Sequence, residues 1–275
     1  MRLIPAMEVS EGAGVTVHRT IGTPALRNLD PFLMLDYFAS TDPEDYIAGF
    51  PDHPHRGFIT LTYMLDGHMR HRDSMGNEGH LKAGDVQWMK AASGVIHSEM
   101  PQQEQGLMRG FQLWLNLPAA EKLSDPAYQE IPAQDIPTVE QQGTTIKVLC
   151  GSYHDTTGPI SDPFTAASYF DVSLPANGTF ECTPTAGHNT FAYVFEGELQ
   201  LNQQTVANRT LALTENDTLH FTSARPARFI LVSGKPLGEP IVQYGPFVMN
   251  TTDEIQQAMA DYRDGTLVKT RASFN

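Results

Sequence analysis

The stretch Gly49-Phe50-Pro51-Asp52-His53-Pro54-His55-Arg56-Gly57-Phe58 sets two histidines two positions apart, just ahead of a run of β-forming residues. In an extended strand, side chains at i and i+2 leave the same face. His53 and His55 therefore point together, and two imidazoles on one face can converge on one ion. A second stretch, Gly94-Val95-Ile96-His97-Ser98-Glu99-Met100-Pro101, repeats the spacing with an imidazole and a carboxylate. Two such strands side by side make a set of three imidazoles and one carboxylate: His53, His55, His97 and Glu99.

The rest of the chain supports the β reading. Short runs rich in branched and aromatic residues fall at 58–65, 85–89, 110–117, 145–149, 167–174, 191–195, 219–221 and 229–232. Turn-forming Gly, Asn and Asp separate them, the pattern of an all-β sandwich or barrel. The segment 118–144 differs: Pro118, Pro126, Pro132 and Pro137 stand among polar residues, which reads as a linker. Near the end, Thr252 and Asp253 precede Glu254–Tyr262, with Ile255, Met259 and Tyr262 at helical spacing and a stop at Gly265. One short C-terminal helix is expected there.

Length and composition bound the function. The 275 residues fit one large domain or two modest ones, and 40% are hydrophobic, enough for a core. Charged residues make up 18%, and 18 basic against 32 acidic residues leave a net charge of -14. Such a surface argues against direct nucleic-acid or anionic-membrane binding. No signal-peptide core and no membrane-length apolar stretch is visible. The only cysteines are Cys150 and Cys182, each read as a small buried hydrophobe; a bond between them stays open. A cytoplasmic location is expected.

The two halves resemble one another. Tyr63-Met64-Leu65-Asp66-Gly67 parallels Tyr193-Val194-Phe195-Glu196-Gly197, and Lys82-Ala83-Gly84-Asp85 parallels Thr214-Glu215-Asn216-Asp217. This reads as a duplicated β-domain. Matching Tyr63 to Tyr193 sets His53 and His55 over Thr183 and Thr185. Matching Trp88 to His220 sets His97 and Glu99 over Phe229 and Leu231. The second copy is therefore expected to lack the ligands.

The ligand set is chemically selective. Without thiolate, a structural zinc site is disfavoured. Imidazole and carboxylate suit Fe(II), Ni(II), Co(II), Mn(II), Cu(II) or Zn(II), and the donor set does not choose among them. Four protein ligands on an octahedral ion leave two positions open, which an oxygen-activating iron site requires. Strand alternation from His55 suggests that Ile59, Leu61 and Tyr63 face the metal. His68 and His71 are read as supporting or surface residues, His80 as solvated, and Arg56 as a salt-bridge partner before a substrate contact. Trp88, Met89, Phe111 and Trp114 are read as core, with pocket lining the lesser role.

These residues resemble the cupin motifs, and more closely the pirin family. The blocks are HPHRGF (53–58), DSMGNEGHLKAGDVQWMKAASGVIHSEMP (73–101) and EPIVQYGPFVMNT (239–251) followed by a helix, with PFLMLDYF (31–38) upstream. The resemblance implies a bicupin: two tandem jelly-roll antiparallel β-barrels with metal only in the first. The expected boundaries are an N-terminal metal-binding barrel over 1–117, the linker over 118–144, and a C-terminal barrel with terminal helix over 145–275. It also implies the same four ligands, His53, His55, His97 and Glu99. One departure is Ile59, where many relatives carry Glu.

Two functions follow from the resemblance. In the first, the chain is a dioxygenase of the quercetin 2,3-dioxygenase type, with a flavonol and O2 as substrates. Glu99 is then both ligand and catalytic base, and heterocycle cleavage releases carbon monoxide. In the second, the chain is a non-enzymatic regulator whose iron redox state changes its affinity for a transcription factor or metabolic enzyme.

Overall fold

Every one of the eight β-rich runs forms a strand, because each alternates or buries its branched and aromatic side chains against a second sheet. The computed structural model describes residues 1–214, 218–270 and 272–274, and it divides into two compact units. The first barrel comprises residues 8–19, 32–133 and 237–275; the second comprises 1–7, 20–31 and 134–236.

The duplication is visible in the strand order. In the first barrel the central strands of the large sheet run Phe32–Ser40, Met108–Asn116, Phe58–Asp66, Val86–Lys90. In the second they run Ser168–Leu174, Ala227–Gly234, Asn189–Glu196, Thr210–Thr214, the same order with each strand replaced by its counterpart. The small sheets correspond as well: Phe50–His55, Val95–Pro101, His68–Asp73, Glu78–Lys82 against Gly178–Cys182, Leu219–Ser223, Leu199–Leu201, Gln204–Val206. Gly67 and Gly197, from the matched pentapeptides, both turn the chain at positive φ, 94° and 69°. Residues 215–217, part of the second sequence match, lie outside the described residues.

This topology corrects part of the repeat alignment. The strand holding His97 and Glu99 corresponds to Leu219–Ser223, whereas Phe229 and Leu231 lie on the counterpart of Met108–Asn116. The inward residues of Leu219–Ser223 are Leu219, Phe221 and Ser223, and none of them is a histidine or a carboxylate.

The domain boundaries also differ from the sequence expectation. The strand Arg2–Pro5 pairs antiparallel with Thr210–Thr214, so the N-terminus completes the second barrel's sheet. The expected linker is ordered: Ala127–Ile131 pairs with Val86–Lys90 in the first barrel, and Thr138–Gln141 pairs with Thr144–Cys150 in the second. The terminal helix α1 (Thr252–Arg263) belongs to the first barrel, where Ile255 and Ala258 pack with Phe247, Met249 and Leu267. Its N-cap is Thr251, one residue earlier than read, with a reciprocal capping box to Glu254. The physical reason is that β-sheet partners are chosen by edge pairing, which is blind to sequence distance.

The cores differ in kind. One continuous apolar cluster fills the second barrel, including Phe170, Phe180, Phe221, Phe229 and Leu231. The interior of the first also holds polar and titratable side chains, His55, His71, His97, Glu99 and Thr62, alongside its apolar clusters.

Candidate metal centre

The His-x-His strand, Phe50–His55, lies antiparallel to Val95–Pro101, with His53 opposite His97 and His55 opposite Val95. That register puts the three imidazoles on one inward face. Their ring centroids are 4.4 Å apart for His53 and His97, 4.7 Å for His53 and His55, and 4.8 Å for His55 and His97. One ligand nitrogen from each lies within 4.8 Å of the others. His55 and His97 are buried, and His53 is half-buried, so the group meets the surface on the His53 side.

The hydrogen bonds set the tautomers. Nδ1 of His53 is 2.8 Å from the Pro51 carbonyl, which only accepts. The proton therefore sits on Nδ1, and Nε2 offers a lone pair inward. That Nε2 lies 3.0 Å from Nε2 of His55. Two imidazole nitrogens bound at right angles to one ion, each at about 2.1 Å, would be about 3.0 Å apart. Nε2 of His97 is buried and finds no hydrogen-bond partner among the described residues. Leaving such an atom unpaired costs about 1–3 kcal/mol. The residues present thus fit a divalent ion: three converging nitrogens, one of them an orphan that coordination would satisfy.

Burial holds His55 and His97 well below the usual histidine pKa, with His53 next to them acting in the same direction. Neutral imidazole is the form that ligates. His71 supports the set: its Nε2 is 2.8 Å from Nδ1 of His97. If His97 presents Nε2 as a lone pair, its proton is on Nδ1 and is donated to His71. Burial pushes His71 down to about 4, so it remains a neutral acceptor. His68, by contrast, pairs with His80 at the surface, 2.8 Å between ring nitrogens.

Glu99 is buried two positions beyond His97, past an irregularity in the strand. Thr62 Oγ1 donates to Oε1 at 3.3 Å and Gln112 Nε2 donates to Oε2 at 2.9 Å. The Gln112 amide is itself oriented, its Oε1 accepting from Trp114 Nε1 at 3.0 Å. Each carboxylate oxygen keeps a lone pair beyond these bonds. Burial pushes the Glu99 carboxyl above its ordinary pKa, against the pull of His53 and of the two donors. A cavity of about 20 Å³, room for about one water, adjoins Glu99, Thr62 and Gln112.

The face assigned to Ile59, Leu61 and Tyr63 is reversed. Thr62 bonds Glu99, and Phe58 lies 5.0 Å from the His55 ring, so Phe58, Thr60 and Thr62 face the site. Alternation breaks at Gly57, whose φ is +90°. A Cβ there would sit 1.9 Å from the Val248 carbonyl oxygen, so only glycine allows this approach. Ile59 therefore lies on the face away from Glu99. Trp114 takes the pocket role, 5.2 Å from His55 and 4.3 Å from Phe58. Thr62 and Gln112 carried no sequence signal, since each reaches Glu99 only through strand pairing.

The His-x-His turn is braced from behind. Buried Arg56 donates to Asp261 Oδ2 on α1 at 2.7 Å and to the Ser93 carbonyl at 2.6 Å, which makes it a structural ion pair. Lys122 Nζ donates to the carbonyls of Gly57 at 2.7 Å and Val248 at 3.0 Å, and to Asn116 Oδ1 at 2.5 Å.

The Pirin family profile matches residues 14–115, and the profile described as "Pirin C-terminal cupin domain" matches 169–268. The chain belongs to the pirin family. A Pseudomonas aeruginosa pirin relative named "Putative quercetin 2,3-dioxygenase" is 50% identical over 94% of each chain. Human pirin is 40% identical over 94% of this chain and 89% of its own. The crystal structure of quercetin 2,3-dioxygenase from Acinetobacter baumannii matches with a TM-score of 0.90 and 34% identity over 97% of each chain. The bicupin architecture expected from the pirin motifs is thus shown. Among the described residues, no helix is long and apolar enough to cross a membrane.

Proposed function

We propose that this pirin is a metal-dependent dioxygenase that cleaves a flavonol such as quercetin with O2 at His53, His55, His97 and Glu99. The observation that carries the reading is the convergence of three imidazoles, with Nε2 of His97 left without a partner among the described residues, near a buried carboxylate. The names of the Pseudomonas and Acinetobacter relatives support the substrate class. Fe(II) heads the candidate ions, with Ni(II), Co(II), Mn(II), Cu(II) and Zn(II) also suited to this donor set.

A bound divalent ion would supply Lewis acidity and a common meeting point for flavonol and O2. The protein supplies the rest. His53, His55 and His97 would hold the ion, with the Glu99 carboxylate proposed as the fourth ligand. Glu99, lifted above the usual carboxylate range by burial, takes the proton of the flavonol 3-hydroxyl. Thr62 and Gln112 fix the carboxylate so that its remaining lone pairs point consistently. The flavonol approaches from the half-buried His53 side, and Phe58 and Trp114 give its rings an apolar wall near His55.

The test is oxygen uptake on adding quercetin to protein reconstituted separately with each ion, with metal-free protein alongside. Metal-dependent uptake that is lost in His55→Ala and in Glu99→Gln is expected. The small space beside Glu99 takes a water and not a flavonol, which keeps a second reading in play: a metal-dependent regulator acting through protein contacts. No uptake with any ion, despite confirmed metal binding, would overturn the dioxygenase reading in favour of that one.

A further inference from the structure

The second barrel contains a cavity of about 420 Å³. Small-molecule sites commonly occupy about 300–1,000 Å³. Its floor is the end of the barrel core, where Phe170 and Leu231 reach the opening. Its wall is a collar of hydroxyls. Ser168 and Ser233 stand opposite each other on paired strands, with their Oγ atoms 2.7 Å apart. Thr190, only 4% exposed, lines the same space, and its Oγ1 finds no hydrogen-bond partner among the described residues.

We infer that this cavity is a binding site for a neutral aromatic molecule carrying hydroxyl groups, separate from the metal centre and independent of its proposed chemistry. Three observations carry it. First, the opening sits at the end of Gly178–Cys182, the counterpart of the His-x-His strand: Cys182, which pairs with Leu219 as His55 pairs with Val95, lines it together with Thr183 and Thr185. The ligands are gone but the space remains. Below it the interior is packed solid, Phe221 stacking on Phe229 with centroids 4.4 Å apart. A barrel kept for shape alone would be filled to the top, because voids forfeit contacts.

Second, the polarity is that of a site and not of a packing defect. Apolar voids have no unsatisfied hydroxyl, whereas Thr190 Oγ1 here offers a donor and an acceptor to an occupant. Third, the charge is neutral in effect. Among the described lining residues there is no Lys or Arg, and Glu181 at the rim is 2.9 Å from His220 Nδ1. An anion finds no counter-charge and a cation finds only a carboxylate already engaged. Tyr153 and Phe170, edge to face with centroids 5.8 Å apart, supply ring surfaces for an aromatic body.

The probe is 2-naphthol, a neutral bicyclic phenol, titrated by fluorescence into the full-length protein with and without metal. Saturable binding of one equivalent is expected, present in both forms and retained in His55→Ala. Ser233→Phe, which fills the cavity, should weaken it about tenfold or more, and Thr190→Val, nearly isosteric, by a few-fold. Cys182 lines the cavity and is half-buried, whereas Cys150 is buried, so bound probe should slow alkylation of Cys182 selectively. Should Ser233→Phe fail to fold, Thr190→Val and Cys182 protection decide the matter. No saturable binding at millimolar probe, or binding lost in His55→Ala and indifferent to Thr190→Val with Cys182 unprotected, overturns the proposal.

Discussion

At the scale of residues, one hydrogen bond decides how His97 presents itself. The His71 ring, 2.8 Å from His97 Nδ1, fixes which nitrogen of His97 faces the cluster. His71→Phe keeps the volume and removes that acceptor. It should weaken metal binding about 10- to 100-fold, measured by competition with a chelator of known affinity. Unchanged affinity would show that His71 is mere packing. The same imidazoles make the metal-free protein acid-sensitive. Burial lowers the pKa of His55, His97 and His71, the last to about 4, while the unfolded chain titrates near 6.5. Below about pH 6.5 the unfolded state therefore binds more protons than the folded one, and stability falls as pH falls. For His71 the loss at pH 5.5 is about 1 kcal/mol, and His55 and His97 act in the same direction. Thermal melts of chelator-stripped protein should drop between pH 7.5 and 5.5; a flat profile would contradict these burial effects.

At the scale of elements, helix α1 is held to the His-x-His turn by a buried ion pair. Arg56 is 2% exposed and its guanidinium reaches Asp261 at 2.7 Å. Asp261→Asn leaves the cation buried without its counter-charge, a change of roughly 3 kcal/mol in systems where such pairs have been broken. Hydrogen exchange across Thr252–Arg263 should accelerate, and metal affinity should fall with it, because Arg56 directly follows His55. Protection unchanged along α1 would mean that its apolar face, Ile255 and Ala258, holds it alone. Gly57 is the other fixed point of this turn: its positive φ and its approach to Val248 reset the strand alternation. That is why Thr62, and not Leu61, meets Glu99.

At the scale of the whole molecule, neither barrel is a continuous stretch of chain. The first draws on 237–275 and the second on 1–7. A fragment ending at residue 144 would hold all four proposed ligands. It would also leave Arg56 without Asp261 and Lys122 without the Val248 carbonyl. Such a fragment should be insoluble or melt without a cooperative transition, followed by circular dichroism. A soluble 1–144 fragment with a sharp transition would show that the C-terminal segment is dispensable.

The sequence by itself determined the local and the periodic. Strand periodicity is two, so His53 with His55, and His97 with Glu99, could be read as pairs sharing a face. The duplication, the eight strands and the terminal helix were legible for the same reason: each depends on neighbours within a few residues. The pirin motifs added the bicupin architecture. Only the tertiary structure decided what pairing across the chain creates. It brought His71 to His97, and Thr62 and Gln112 to Glu99, contacts set by register between strands far apart in sequence. It moved α1 and the segment 127–131 into the first barrel and Arg2–Pro5 into the second, because an edge strand is completed by whichever strand fits it. It also left the second barrel open at the end of Gly178–Cys182, the counterpart of the His-x-His strand, a space that no spacing of residues records.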